Sequence, residues 1–236
     1  MRIPSCYMEI EQIFLQLEQQ DSRSLCITST NSGEGVSSLA QALTERHLLA
    51  GYRTLLVDLN LQNPSLIPLS FTPDNNDITK EPSHHHLTFS QHNSVVLSGL
   101  AVPTNKAEIV ELRQPKNLKK RIDTWLKEFD KVIIDASSVS QLNTNNIPAQ
   151  TIAGCCESTL MVILSGQTLQ TEFKDALEKL ENHNANIIGH VFNDKYQPSL
   201  KNEICREIER LSFLPKKIST KLITIVQKNR FLSTMV

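Results

Sequence analysis

The sequence predicts a doubly wound α/β domain of three layers, with a mostly parallel central sheet and a helical extension at its C-terminus. Three observations predict it. Six short β-rich runs are apolar along their length rather than alternating, as strands covered on both faces are. The segments between most of them carry helical period, and strand–helix alternation winds right-handed into a parallel sheet. Finally, a loop with two glycines joins the first run to the helix after it. The whole 236-residue chain has only 7 glycines, under half the usual share of about 7 %, so their clustering asks for a reason.

In chain order, residues 1–22 read as an amphipathic helix with Ile10, Ile13, Phe14 and Leu17 on one side. Strands are expected at 25–30, 54–58, 94–98, 131–136, 159–164 and 186–192. A helix at 37–50 places Leu39, Ala40, Leu43 and His47 together, and Gly51 is its stop. The helix at 117–129 aligns Leu118, Ile122, Trp125, Leu126 and Phe129, and that at 171–182 aligns Phe173, Ala176, Leu177 and Leu180. Residues 62–93 hold four prolines, many Asn, Asp and Ser, and four histidines, which reads as a long loop of weak strand character. The consecutive His84, His85 and His86 cannot all face one ion from regular backbone, so with His92 they read as solvated, not metal-binding. The divisions expected are an N-terminal helix (1–22), a nucleotide-binding-like domain (23–198) and a basic helical extension (199–236). That extension carries eight Lys or Arg against three Glu, with Leu200, Ile204, Ile208 and Leu211, then Ile218, Leu222, Ile225 and Val226, at helical spacing.

Composition excludes several classes. Lys and Arg number 24 against 25 Asp and Glu, a net charge of −1, which argues against a nucleic-acid coat. The longest wholly apolar run, 160–164, is far short of the ~20 residues a spanning helix needs. No apolar signal segment opens the chain, and the five cysteines lack metal-ligand spacing, so reduced thiols and a cytoplasmic setting are expected.

The informative segment runs strand, loop, helix: Leu25-Cys-Ile-Thr-Ser-Thr-Asn-Ser32-Gly33-Glu34-Gly35-Val36-Ser37-Ser38. A glycine-bearing turn between a parallel strand and a helix aims backbone N–H groups and the helix N-terminus at an anion. Ser37 stands where a phosphate-loop hydroxyl would ligate Mg²⁺. The pattern demands Gly-Lys-Ser, however, and Val36 cannot neutralise a phosphate.

The chain resembles the bacterial tyrosine kinases of capsule and exopolysaccharide export, relatives of the ParA/MinD-type deviant P-loop ATPases. Their first motif is matched by Ile27-Thr-Ser-Thr-Asn-Ser-Gly-Glu-Gly-Val-Ser37 and their second, acidic motif by Asp58-Leu-Asn60-Leu-Gln62-Asn-Pro64. A Leu-x-x-Gly stretch matches Val96-Leu-Ser-Gly99-Leu-Ala-Val-Pro103, and the Walker B-like strand ends at Asp135-Ala-Ser137-Ser138. The closing strand matches Ile187-Ile-Gly189-His-Val-Phe-Asn193. The resemblance covers roughly residues 9–194 in the correct order. It implies a P-loop fold in which Ser32, Gly33, Glu34, Gly35, Val36, Ser37 and Ser38 line an ATP or ADP site. Ser37, Asp58 and Asp135 would hold Mg²⁺, and Asp58 and Asp135 would carry whatever catalysis remains.

The departures share one chemistry. Besides Val36, Asn60 replaces an Asp of the second motif, Gln62 replaces its basic residue, and Ser137–Ser138 replaces a diproline. On the N-terminal helix Glu9 survives, but Gln12 and Leu15 stand where the family's ring-building arginines would be. The only tyrosines are Tyr7, Tyr52 and Tyr196, so the C-terminal tyrosine cluster is missing. Phosphoryl transfer rests on charge neutralisation and positioning, and each lost contact to a charged phosphate removes roughly 1.5–3 kcal/mol of binding. The expectation is therefore a catalytically degenerate relative, binding Mg-nucleotide weakly or not at all. It would serve as a regulatory or scaffolding subunit of exopolysaccharide synthesis or export, peripheral at the inner face of the cytoplasmic membrane. Its partner would be a membrane-embedded export or synthesis protein, with self-association open and no nucleic acid expected. Two alternatives stay open: an active ATPase or tyrosine kinase of the same system, and a ParA/MinD-like positioning ATPase.

Overall fold

The computed structural model describes residues 3–68, 86–90, 96–141, 143, 146–196, 200–210 and 216–228. Helix α1 (Met8–Gln19) precedes strand β1 (Ser24–Ser29), helix α2 (Val36–Leu49) and strand β2 (Thr54–Asp58). Strands β3 (Leu66–Pro68), β4 (His86–Ser90) and β5 (Val96–Leu100) lead to helices α3 (Lys106–Leu112) and α4 (Pro115–Glu128). Then come β6 (Lys131–Asp135), α5 (Ala149–Cys155), β7 (Ser158–Leu164), α6 (Gln170–Glu181) and β8 (Ile187–Asn193). Helices α7 (Leu200–Arg210) and α8 (Lys216–Lys228) close the order.

The sheet order is β3-β4-β5-β2-β6-β1-β7-β8. The six strands from β5 to β8 are all parallel, and β4 and β3 add an antiparallel edge. That edge lies within 62–93, expected as a loop of weak strand character, and the strand expected at 94–98 is described from 96 to 100, residues 94–95 lying outside the described residues. The antiparallel pairing of β3 and β4 to their neighbours, not local periodicity, makes this stretch strand. His84, His85 and His92 lie outside the described residues. Among the described residues no group of His, Cys, Asp and Glu is placed to hold a metal ion, and no helix is long and apolar enough to cross a membrane.

The apolar strand runs are explained by two cores. On one face Cys26, Leu55, Val57, Val132, Ile134 and Met161 meet Leu118, Ile122 and Trp125 of α4 and Ile152 of α5. On the other, Leu25, Ile27, Leu56, Ile133 and Leu160 meet Ile10 and Leu17 of α1 and Leu39 and Leu43 of α2. Successive strand residues point to opposite faces, so a strand covered on both must be apolar throughout. Burial of such side chains is worth about 1.5–3 kcal/mol each. Glu9, Gln12 and Leu15 of α1 point away from this packing and are exposed. Contacts divide the chain into 1–193 and 194–236; within the second unit α7 packs on α8.

Candidate functional site

The parallel strands β2, β6 and β1 bring three sequence-distant segments to one edge. In register, Asp58 closes β2 beside Asp135 at the end of β6, and Asp135 lies beside Ile27 of β1. Just past β1 the loop 30–35 turns into α2. Gly33 (φ +84°) and Gly35 (φ +108°) adopt backbone conformations that side chains resist. A Cβ on Gly35 would stand 2.6 Å from Asn193 Nδ2. All the residues expected from sequence in the loop, together with Asp58 and Asp135, thus come to one place.

The loop is held in shape from inside. The buried Glu34 carboxylate accepts the Thr30 N–H at 3.0 Å and the Thr168 hydroxyl at 2.5 Å. Asn193 Nδ2 donates to the Glu34 carbonyl at 2.8 Å. Burial pushes the Glu34 carboxyl above its ordinary value, against the pull of these donors. Outside, Asn31 Nδ2 donates to Glu172 at 2.8 Å and Asn63 Nδ2 to the Ser32 hydroxyl at 3.1 Å. Val36, at the position of the phosphate-binding lysine, is 7 % exposed and belongs to the α1–α2 core. Ser37 and Ser38 are half-buried in the first turn of α2, whose N–H groups lack intrahelical acceptors.

The two aspartates are buried at 0 % and 1 % exposure. Asp58 Oδ2 accepts the Ser65 N–H at 2.5 Å, the Ser65 hydroxyl at 3.1 Å and the Leu66 N–H at 3.2 Å, while Oδ1 accepts the Asn60 N–H at 3.0 Å. The Ser65 hydroxyl is also 3.2 Å from Asp135 Oδ2. It has one proton to give and two carboxylates to serve. Burial, then the Asp58 charge, push Asp135 up to about 8; burial raises Asp58 as well, so the two carboxyls titrate as a pair. Among the described residues no lysine or arginine pairs with Asp58, Asp135, Glu34 or Glu172.

These residues fit a divalent cation in part. Asp135 Oδ1 is buried without a hydrogen-bond partner, and the Ser37 side chain lies beside the carboxyl, which is the donor set such an ion would use. Asp58 has both oxygens committed. A phosphate fits the backbone cradle but, among the described residues, meets no cation. Ser137 is tied into the fold: Thr28 donates to its carbonyl at 2.7 Å and Asn146 Nδ2 to its hydroxyl at 2.7 Å. Ser65 and Asn63, from the segment after β2, and Thr168 and Glu172, before and at the start of α6, are site residues that local sequence did not signal.

No established family pattern matches the chain. It is 28 % identical over 198 residues to the tyrosine-protein kinase CpsD of Streptococcus pneumoniae, covering 77 % of this chain and 83 % of that one. The tyrosine-protein kinase YwqD of Bacillus subtilis is 26 % identical over 197 residues, 77 % of this chain and 76 % of its own. Among solved structures, the chimerical protein CapA2B2 superposes with a TM-score of 0.56 at 22 % identity, over 78 % of this chain and 81 % of that one. A Mycobacterium smegmatis cobyrinic acid a,c-diamide synthase, solved with an ATP analog and magnesium, gives a TM-score of 0.55 at 17 % identity over 82 % of each. The two structures establish the fold.

Proposed function

We propose that the chain, similar to the tyrosine-protein kinases CpsD and YwqD, is a catalytically degenerate member of their system within the ParA/MinD-like P-loop ATPases. It acts as a regulatory or scaffolding subunit of capsule or exopolysaccharide synthesis, against a membrane-embedded partner on the cytoplasmic side. One observation carries this reading: the loop keeps its phosphate-binding shape, with Gly33 and Gly35 at positive φ, while the residue that should neutralise phosphate is buried Val36. In this proposal 1–22 is an N-terminal helix, 23–198 the nucleotide-binding-like domain and 199–236 a basic extension, and any residual Mg-nucleotide site is lined by residues 32–38, Asp58 and Asp135.

The test is a pair of measurements on the purified full chain. ATP turnover and autophosphorylation are expected to be absent, and millimolar Mg-ATP is expected to leave Tm unchanged. Binding at a hundredfold excess over Kd would add about 2.7 kcal/mol of stability, an easily read shift. Val36→Lys should restore such a shift, because the backbone cradle is already formed. Turnover by the native chain that Asp135→Asn removes would overturn the reading. It would favour the second reading, a residual Mg-nucleotide enzyme, which the unpartnered Asp135 Oδ1 beside Ser37 supports.

A further inference from the structure

The segment after β2 does more than connect strands. Within a few residues it delivers four donors to Asp58 and reaches across to the phosphate loop, where Asn63 Nδ2 donates to Ser32. The Ser65 hydroxyl lies between the two carboxylates, 3.1 Å from one and 3.2 Å from the other. A Mg²⁺ ion bonded to both at about 2.0–2.1 Å would need that same space. Asn60 N–H and Asn63 N–H are themselves fixed by the Asp58 carboxylate and the Asn60 side chain at 3.0 and 3.3 Å, so the segment folds on itself as well as on the site.

We propose that residues 60–66 form a built-in strap that occupies the acid pair in place of a cation, with Ser65 as the residue that excludes the ion from Asp58 and Asn63 as the tie to the phosphate loop. The loop then holds its shape without ligand, and the surface around it stays constant whatever the nucleotide state of the cell. This rests on the degenerate reading above, yet it fails separately: turnover tests that reading, whereas the strap is tested by motion and by metal alone.

The experiment is hydrogen–deuterium exchange on the full chain, with Mg²⁺ alone as the probe. In the native chain, residues 30–38 and 58–66 should be protected without ligand, and millimolar Mg²⁺ should not slow their exchange. Ser65→Ala should speed exchange of both segments by about tenfold, while Ser65→Thr, which retains the hydroxyl, should stay within about twofold of native. Asn63→Ala, at an exposed position that folding does not depend on, should speed the phosphate loop but leave 58–59 unchanged. Mg²⁺-induced protection of 58–66 in the native chain would overturn the proposal. So would native exchange at 30–38 in both Ser65→Ala and Asn63→Ala.

Discussion

The two ends of the central sheet treat charge in opposite ways. At the end where the strands finish, Asp58, Asp135, Glu34 and Glu172 are met by hydroxyls and amides. At the end where they start, Glu18 and Asp130 are met by cations, while Glu157 accepts the Arg23 and Ser24 N–H groups. Lys131, 8 % exposed at its side chain, sits 2.5 Å from Glu18 and donates to the Ser22 carbonyl at 3.0 Å. Its ammonium lies 5.0 Å from the Tyr52 ring, and the Tyr52 hydroxyl donates to Glu18. Arg53 forks Asp130 at 2.7 and 3.2 Å. Nearby, Arg46 forks Glu11 at 2.5 and 2.9 Å while lying 3.9 Å over the Phe14 ring, tying α2 to α1. Among the described residues, cations thus fasten α1 to the sheet and to α2, and none pairs with Asp58, Asp135, Glu34 or Glu172. The charge count of the whole chain hides that division.

The comparison breaks most visibly if a fastening cation is removed. Lys131→Met leaves Glu18 in a partly buried place without its partner, and the expected loss is about 3 kcal/mol in urea denaturation, with faster amide exchange in α1. Next, Gly35→Ala forces a side chain to φ +108° against the Asn193 amide. It should cost about 2 kcal/mol, whereas a slack turn would absorb the change.

The ends also differ in the sign of their pH response. Asp135 is raised from 3.8 to about 8. The native state therefore holds a proton the unfolded chain has lost, and its contribution weakens as pH rises from about 4 to about 8. Asp135→Asn should flatten that slope and raise Tm near pH 8 by about 3 °C, converging with native near pH 4. Asp130, lowered to about 2 by Arg53, contributes stability present above about 4 and lost as pH falls through 2. The smallest expected effect is Arg53→Ala: a fall in Tm of about 1 °C at neutral pH, small because solvent screens the exposed pair. The Asp130 resonance should nevertheless titrate closer to its ordinary value by NMR.

The architecture was legible because strands such as Leu55-Leu56-Val57 serve two cores at once and leave an unbroken apolar run. Seven-residue α3 and α5 went unread: neither is long enough to show a periodic stripe, and each is fixed by packing on α4. β3 and β4 went unread because proline- and asparagine-rich sequence masks strands that exist by pairing. At the site, Gly33, Gly35, Ser37, Asp58 and Asp135 were readable since motif spacing encodes backbone position. What was not readable is who satisfies them. The hydroxyls of Ser65 and Thr168 and the amide of Asn63 reach the site only through the folded topology, and a hydroxyl or amide carries no signature of its distant acceptor.

The internal clamp on the phosphate loop, Glu34 held by Thr168 and Asn193, has a historical consequence. In a lineage where ligand alone kept such a loop folded, loss of binding would release its glycines to drift. Here the loop is held by protein contacts, so selection for a stable fold preserves its shape whether or not a ligand binds. Descendants of this chain inherit the mould intact, whatever charges they place around it.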